Sequence, residues 1–234
     1  RDAKLDVSYP LKSVYGRLLS THAGYNKAYA QKTDDITQAK ALLDQAGWVL
    51  NPQTGLRTKD NKPLKFQLAA EDTEEYRDVT ETLKKQWKEL GVELDVKLQD
   101  EDELKTTVSS HNYDSLLYAI SIGADPDVFA YWHSTQADPR SKTRLNFSEY
   151  KSVAADESLV AGRSRSDPAI RAIKYKPFLE NWQKDNPALA LYQPRFVLVM
   201  RKPFDGFVNT GVVAPIDRYS DVENWAIRQE KRSN

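Results

Sequence analysis

The sequence of 234 residues contains no cysteine, one methionine and three histidines. The absence of cysteine excludes disulfides, thiolate nucleophiles, zinc–sulfur sites and iron–sulfur clusters. No pair of histidines has the spacing of a metal site, and no HExxH motif occurs. Cysteine chemistry is therefore excluded, and metal binding by histidines has no supporting pattern in the sequence.

Charge of one sign and long apolar runs are also missing. The 34 lysines and arginines balance the 34 aspartates and glutamates, which excludes an overall basic surface for nucleic acid. No apolar run approaches the roughly 18 residues that a membrane-spanning helix needs. The phosphate-binding patterns GxGxxG and GxxxxGK[ST] and the nucleophile pattern GxSxG do not occur either. The sequence therefore contains no recognisable motif for binding nucleotide phosphates or for a serine hydrolase.

What the sequence does contain is the material of a packed core, because 40% of the residues are hydrophobic and 10% are aromatic. Apolar residues repeat at helical spacing in segments that begin with capping residues and end at glycine or before proline. Helices are predicted at residues 34–46, 73–90, 100–108, 127–132, 156–163 and 167–185. Strands are predicted at residues 64–68, 92–98, 113–122, 188–192 and 196–200. This alternation predicts an α/β layer structure with a partly parallel sheet.

The strand at residues 113–122 is nearly all apolar after Asp114, which predicts burial on both of its faces. Two carboxylates follow it, in Asp125-Pro126-Asp127. Ligands of α/β sheets tend to sit beyond the carboxyl ends of strands, so this pair is a candidate contact for a cation or an ammonium group. The alternative is structural, with Asp127 capping a short helix and Asp125 in solvent.

Trp132 and His133 follow on the same short helix and are candidates for the wall of a ligand pocket. The alternative is that Trp132 belongs to the core. Asn146-Phe147-Ser148 matches the N-glycosylation pattern, which we interpret as coincidence. The residues alone thus indicate an α/β domain with one candidate ligand segment, residues 119–134, and no catalytic constellation.

Several motifs nevertheless resemble, in their order, those of a known family. Residues 39–48, AKALLDQAGW, are similar to a helix and turn of the extracytoplasmic peptide-binding proteins of ABC transporters, solute-binding family 5. The resemblance continues through six further motifs and covers about residues 25–225. These motifs are TGLR with NKPL, WKELGV, Tyr113-Asp114, Asp125-Pro126-Asp127, Asn146-Phe147-Ser148 and PALALYQP.

The resemblance implies one lobe of a venus-flytrap fold of the type II periplasmic-binding-protein class, with a mixed sheet flanked by helices. The family's chains are longer, so we expect this chain to be the C-terminal lobe. Residues 1–32 are then an extended lead-in, residues 33–225 the α/β peptide-binding lobe, and residues 226–234 a tail toward a missing N-terminal lobe. Arg1 and the tail should lie on the same side of the domain.

The resemblance also implies a ligand and a mode of binding. In the family, an extended peptide is clamped between lobes and pairs with the backbone of a strand that corresponds to Ala119, Ser121 and Gly123. In several members an aspartate after that strand holds the ammonium group of the peptide. That position falls on Gly123 here, so Asp125 is the candidate substitute. The ligand could also be a longer or blocked peptide, a sugar oligomer or a nickel chelate.

The resemblance further implies a non-catalytic receptor outside the cytoplasm, in the periplasm or lipid-anchored, whose partner is an ABC permease. No cofactor is expected. Two other functions remain open. One is a receptor of the same fold that signals or acts as a chaperone. The other is a hydrolase that uses Asp125, Asp127 and His133, which should show turnover that Asp→Asn changes abolish.

Overall fold

We describe the fold from a computed structural model of the chain. The described residues are 11–13, 22, 24–31, 35–123, 125–138, 140–141, 144–194, 199, 201, 205–208 and 215–226. The strands are β1 (Leu11–Ser13), β2 (Val49–Leu50), β3 (Arg57–Lys59), β4 (Lys62–Pro63), β5 (Lys65–Glu71), β6 (Glu93–Gln99), β7 (Ser115–Leu116) and β8 (Tyr192–Pro194). The helices are α1 (Ile36–Gln45), α2 (Glu74–Glu89), α3 (Glu101–Ser110), α4 (Phe129–Trp132), α5 (Val153–Arg163) and α6 (Pro168–Asp185).

The central layer is a parallel sheet with the strand order β6-β5-β7. β5 pairs with β6 in continuous register from Lys65 opposite Glu93 to Glu71 opposite Gln99. α2 connects these two strands, and α3 connects β6 to β7. Such helical crossovers are what parallel strands require, so the predicted α/β class is confirmed. Two small antiparallel sheets, β2-β3-β4 and β1-β8, accompany the parallel one.

Side-chain caps fix where the predicted helices begin. The side chains of Thr73, Asp100 and Asp167 accept backbone N–H groups in the first turns of α2, α3 and α6. The Glu103 side chain accepts the backbone N–H of Asp100 and so completes a capping box. Gly91 follows α2 with a φ of +78°, a conformation that favours glycine at a helix end. The predicted caps and stops are confirmed at these positions.

The largest cluster of buried apolar residues lies among α4, α5 and α6. Its fully or nearly fully buried members are Val128, Trp132, Tyr150, Ala155, Leu159, Tyr175, Phe178, Leu179 and Trp182. Gly162 of α5 lies directly against Tyr175 of α6, because an added Cβ would meet the Tyr175 ring at 2.4 Å. The two helices therefore pack at a distance that a larger side chain at residue 162 would prevent.

Two predicted strands differ from the structure. The prediction of a buried strand over residues 113–122 is wrong, because only Ser115–Leu116 pairs with β5 and residues 118–121 are exposed. β7 has β5 on one side and no other described strand on its second side, so the apolar run does not reach the interior. The strand predicted at residues 188–192 begins only at Tyr192 and pairs with β1.

The predicted lead-in and tail lie largely outside the described residues, as do Arg1 and the strand predicted at residues 196–200, apart from Val199. Within residues 1–32, the structure describes β1 and a short 3-10 helix, Lys27–Tyr29. None of the helices in the described ranges combines the length and apolar character needed to cross a bilayer. The division of the chain into residues 1–32, 33–225 and 226–234 stays a prediction.

Candidate functional site

The candidate site centres on residues 118–123, which we name the extended segment. It continues the chain from β7, beyond the carboxyl end of the parallel sheet. Tyr118 and Ile120 expose 48% and 38% of their surface, and Ala119, Ser121 and Gly123 are exposed as well. Within the part of the chain that the structure describes, no backbone group of the segment pairs with another backbone group. The segment therefore presents backbone groups that pair with no described strand, beside apolar side chains.

Three side chains from other parts of the fold hold the extended segment in place. The Tyr76 hydroxyl of α2 lies close enough to the Ala119 backbone for the two to interact electrostatically. The Tyr131 hydroxyl of α4 donates to the Ser121 carbonyl at 2.9 Å. At the far end, Nε2 of the buried His22 lies 2.8 Å from the Gly123 carbonyl oxygen. The segment is thus contacted by side chains from one side, and no described backbone group pairs with it from the other.

Asp125 forms an ion pair with Arg171 of α6. Arg171 Nη2 donates to Asp125 Oδ1 at 2.6 Å, and Nη1 donates to Oδ2 at 2.8 Å. Oδ1 also accepts the backbone N–H of Asp127 at 2.8 Å. The hydrogen bonds from Arg171 hold the pKa of the Asp125 carboxyl below its ordinary value. Asp125 is therefore ionised at neutral pH, and its charge is compensated within the chain.

Asp127 accepts a backbone hydrogen bond at the start of α4, as the structural alternative predicts, although the N-cap position itself is occupied by Val128. Its Oδ1 accepts the Phe129 N–H at 3.1 Å as α4 begins. Its Oδ2 lies 3.0 Å from Nη2 of Arg163, which belongs to α5. The Arg163 guanidinium also stands 4.2 Å above the centre of the Phe129 ring. Like Asp125, Asp127 is paired with an arginine from the α5–α6 pair.

Trp132 and His133 are packed into the protein. Trp132 is 8% exposed and meets Trp182 edge to face, with ring centroids 5.3 Å apart. The His133 ring stacks on Phe129 at 4.1 Å, and its Nδ1 lies 2.8 Å from the Thr135 hydroxyl. This packing favours the core interpretation of Trp132 over a pocket wall. As ligand contacts, both residues stay predictions.

Asn146 supports the same region from the interior, since none of its surface is exposed. Its Nδ2 donates to the carbonyl oxygens of His133 and Tyr150 at 3.2 and 2.9 Å. Its Oδ1 accepts the Tyr150 N–H at 3.1 Å. A buried amide whose donors and acceptor are satisfied in this way fixes a loop firmly. Asn146 therefore connects the end of α4 to the chain that leads into α5.

The sequence analysis missed the partners of the candidate residues. Arg163 and Arg171 lie more than 35 positions away from the acids that they pair, so no local spacing reveals them. The ties through Tyr76, Tyr131 and His22 likewise depend on tertiary contacts. Only Asp125 and Asp127 themselves, which follow an apolar run, could be identified from the sequence. Over the described ranges, no cluster of histidine and carboxylate side chains could hold a metal ion.

Comparison with known proteins assigns the chain to a family. The model of the bacterial extracellular solute-binding proteins, family 5 Middle, matches residues 12–141, which is more than half of the 234 residues. The chain belongs to solute-binding family 5. The matched region ends after α4, so it contains the parallel sheet and the whole extended segment.

A curated family 5 relative, the oligopeptide-binding protein AppA of Bacillus subtilis, is 26% identical over 173 residues, which cover 73% of this chain and 31% of AppA. The solved structure of AppA in complex with a nonapeptide has a TM-score of 0.69 at 21% identity, covering 94% of this chain and 43% of that one. NikZ of Campylobacter jejuni in complex with Ni(L-His) has a TM-score of 0.75 at 22% identity, covering 93% and 44%.

These likenesses confirm the expected fold, because the solved structures superpose over most of the chain. The chain spans about a third of the length of the curated relatives that it matches. It therefore corresponds to one part of a family 5 protein.

Proposed function

We propose that this chain forms one lobe of a receptor that binds extended peptides in a cleft between two lobes. The observation that carries the proposal is the extended segment, whose backbone donors and acceptors face no strand of the described fold. A peptide can add to such an edge as a further strand, because main-chain hydrogen bonds do not depend on side chains. AppA, which shares the fold, was solved with a nonapeptide bound.

In this proposal the contacts come from the backbone of the extended segment. The predicted contacts are Ala119, Ser121 and Gly123, but the carbonyls of Ser121 and Gly123 are already bonded to Tyr131 and His22. Backbone groups of alternate residues in a strand point to the same edge, so a peptide that pairs along the other edge would meet the backbone of Ile120. The bonds from Tyr131 and His22 leave the segment little freedom to lose on binding. Asp125, Asp127, Trp132 and His133 follow the segment, and their packing supports roles in positioning it.

We further propose that the receptor is non-catalytic, works outside the cytoplasm and hands its ligand to an ABC permease. The family's description as extracellular solute-binding proteins supports the location and the receptor role. The pairing of both candidate acids with arginines argues against the hydrolase alternative, since a general acid or base needs a carboxyl free to exchange protons. Closure of two lobes around the ligand is a hinge motion.

The test is thermal stability of the complete protein that contains this chain, with and without a synthetic pool of random nonapeptides. Binding to the native state raises the melting temperature by mass action. We expect the pool to raise it in the complete protein and not in this chain alone, which supplies one wall of the cleft. No change with the pool would contradict the peptide proposal.

A nickel chelate is the second candidate ligand, because NikZ, which was solved with Ni(L-His), shares this fold with a TM-score of 0.75. The same measurement with nickel and L-histidine separates the two candidates. A rise in melting temperature with Ni(L-His) and none with the nonapeptide pool would favour the chelate.

A backbone variant tests the contribution of the extended segment directly. Ile120→Pro removes one backbone donor from the segment. We expect it to weaken binding of a peptide from the pool by about tenfold, the value of one main-chain hydrogen bond of about 1.4 kcal/mol. Ile120→Val is the matched control, since it keeps the N–H and should bind like the parent protein. Equal affinities of the two variants would contradict backbone pairing at this residue.

A further inference from the structure

An extended peptide carries one cationic group whatever its sequence, the amino-terminal ammonium. The acids of residues 119–133 are Asp125 and Asp127, at the Gly123 end of the extended segment. Both are paired with arginines of the chain, Asp125 with Arg171 and Asp127 with Arg163. The two ion pairs therefore balance the charges of these four side chains.

From this arrangement, and on the basis of the proposed function, we infer that Arg171 determines specificity. By occupying Asp125, it prevents the receptor from reading the amino terminus of a peptide at this end of the extended segment. Peptides with free and with blocked amino termini then bind alike. The ligand class is accordingly peptides held by their main chain, including long and amino-terminally blocked ones.

The surroundings of Arg171 strengthen its ion pair with Asp125. The Arg171 side chain is only 11% exposed, whereas the Asp125 side chain is 61% exposed. Arg171 Nε donates to the Gly162 carbonyl at 3.3 Å, and Nη2 lies 3.2 Å from the Tyr175 hydroxyl. The guanidinium is therefore fixed by α5 and α6 and largely withdrawn from water. A buried charge that loses its partner is strongly unfavourable, so Asp125 is required as its counter-ion.

A ligand ammonium gains little at such a pair. The guanidinium repels a second cation and cancels most of the attraction of the carboxylate. The exposed part of Asp125 faces solvent, where an ion pair contributes little. The same reasoning applies to Asp127, whose partner Arg163 is held over the Phe129 ring. Recognition at this end of the segment is therefore left to uncharged groups.

The test uses the complete protein and one nonapeptide selected from the synthetic pool by binding, prepared with a free and with an acetylated amino terminus. Calorimetric titration gives the two dissociation constants and their ratio, acetylated over free. We expect a ratio below about threefold in the parent protein. A larger ratio overturns the inference, and failure to select any binding peptide from the pool overturns the proposed function together with it.

Variants of the pair then separate charge from structure. Arg171→Met frees the Asp125 carboxylate and should raise the ratio to tenfold or more, whereas Arg171→Lys keeps a cation there and should leave the ratio low. Asp125→Asn keeps an acceptor for the Asp127 N–H and should also leave it low. A folded Arg171→Met protein with the parent ratio, or a tenfold change of the ratio in Asp125→Asn, overturns the inference. If Arg171→Met does not fold, the parent ratio and Asp125→Asn decide.

Discussion

β5 and the extended segment are both short stretches that carry apolar side chains, but their surroundings are opposite. β5 is paired on both edges, with β6 over seven residues and with β7 over two. Leu68, Ala69 and Ala70 in its centre are buried. The extended segment has no backbone pairing within the described residues, and its apolar side chains Tyr118 and Ile120 are exposed.

The difference shows that an apolar strand sequence does not by itself specify its neighbours. β5 obtains its stability from pairing and burial. The extended segment is held by the side chains of Tyr76, Tyr131 and His22. An unpaired apolar edge is a liability in a monomer, and proteins retain it where another chain is to pair with it. Stability should therefore depend on β5, and ligand binding on the extended segment.

The largest expected effect comes from truncating one residue in each region. Leu68 is 6% exposed, so Leu68→Ala should lower the free energy of unfolding by about 2–5 kcal/mol through lost burial and a cavity. Ile120→Ala, at 38% exposure, should lower it by about 0.5 kcal/mol or less. Urea denaturation of both variants measures the contrast. Similar losses would mean that the two regions contribute equally to stability.

A smaller effect is expected at Asp114, just before β7 begins to pair with β5. The Asp114 Oδ2 atom accepts the Gln67 N–H at 2.7 Å, just before Ser115 pairs with Leu68. Asp114→Ala should cost about 1 kcal/mol of unfolding free energy, the value of one hydrogen bond. Asp114→Asn, which retains an acceptor oxygen, is the control in the same denaturation experiment. An Asp114→Ala protein as stable as the parent would show that this hydrogen bond to β5 contributes nothing to stability.

The smallest effect concerns alkaline pH and Tyr113, which precedes β7. Burial raises the pKa of Tyr113 to about 12, and its hydroxyl donates to the Phe147 carbonyl at 2.9 Å. An unfolded tyrosine ionises near pH 10, so the folded state holds the proton more tightly. The contribution is present in full below pH 10 and is lost as pH rises from about 10 to 12.

The variant Tyr113→Phe cannot ionise at this position, so its stability should fall less steeply over the same pH range. Tyr150 has its pKa raised to about 12 as well and contributes equally to both proteins. The difference between the two curves, measured by thermal denaturation from pH 9 to 12, isolates Tyr113. Parallel curves would contradict the assignment.

The sequence predicted the parts of this fold that local rules control. The starts of α2 and α6 follow from capping by Thr73 and Asp167, and the end of α2 from Gly91. The alternating strands β5 and β6 also lie where the period of two predicted them. These features depend on neighbours within a few positions along the chain, which a single sequence displays.

Features that depend on distant contacts could not be predicted in this way. The apolar run after Asp114 is typical of a buried strand, but whether its edge is covered depends on how many strands the sheet has. The charge state of the candidate site depends on Arg171, which lies 46 positions from Asp125. The sequence located the acids but not their partners, and the partners decide what the acids can bind.

The burial of Asn146 has a practical consequence for producing the protein. Asn146-Phe147-Ser148 is an acceptor pattern for glycosylation, and the sugar would attach to the side-chain nitrogen. That nitrogen donates to the His133 and Tyr150 carbonyls inside the protein, with no space for a glycan. A eukaryotic secretory host that modifies the nascent chain would therefore yield misfolded material, whereas a bacterial host that lacks this modification would not.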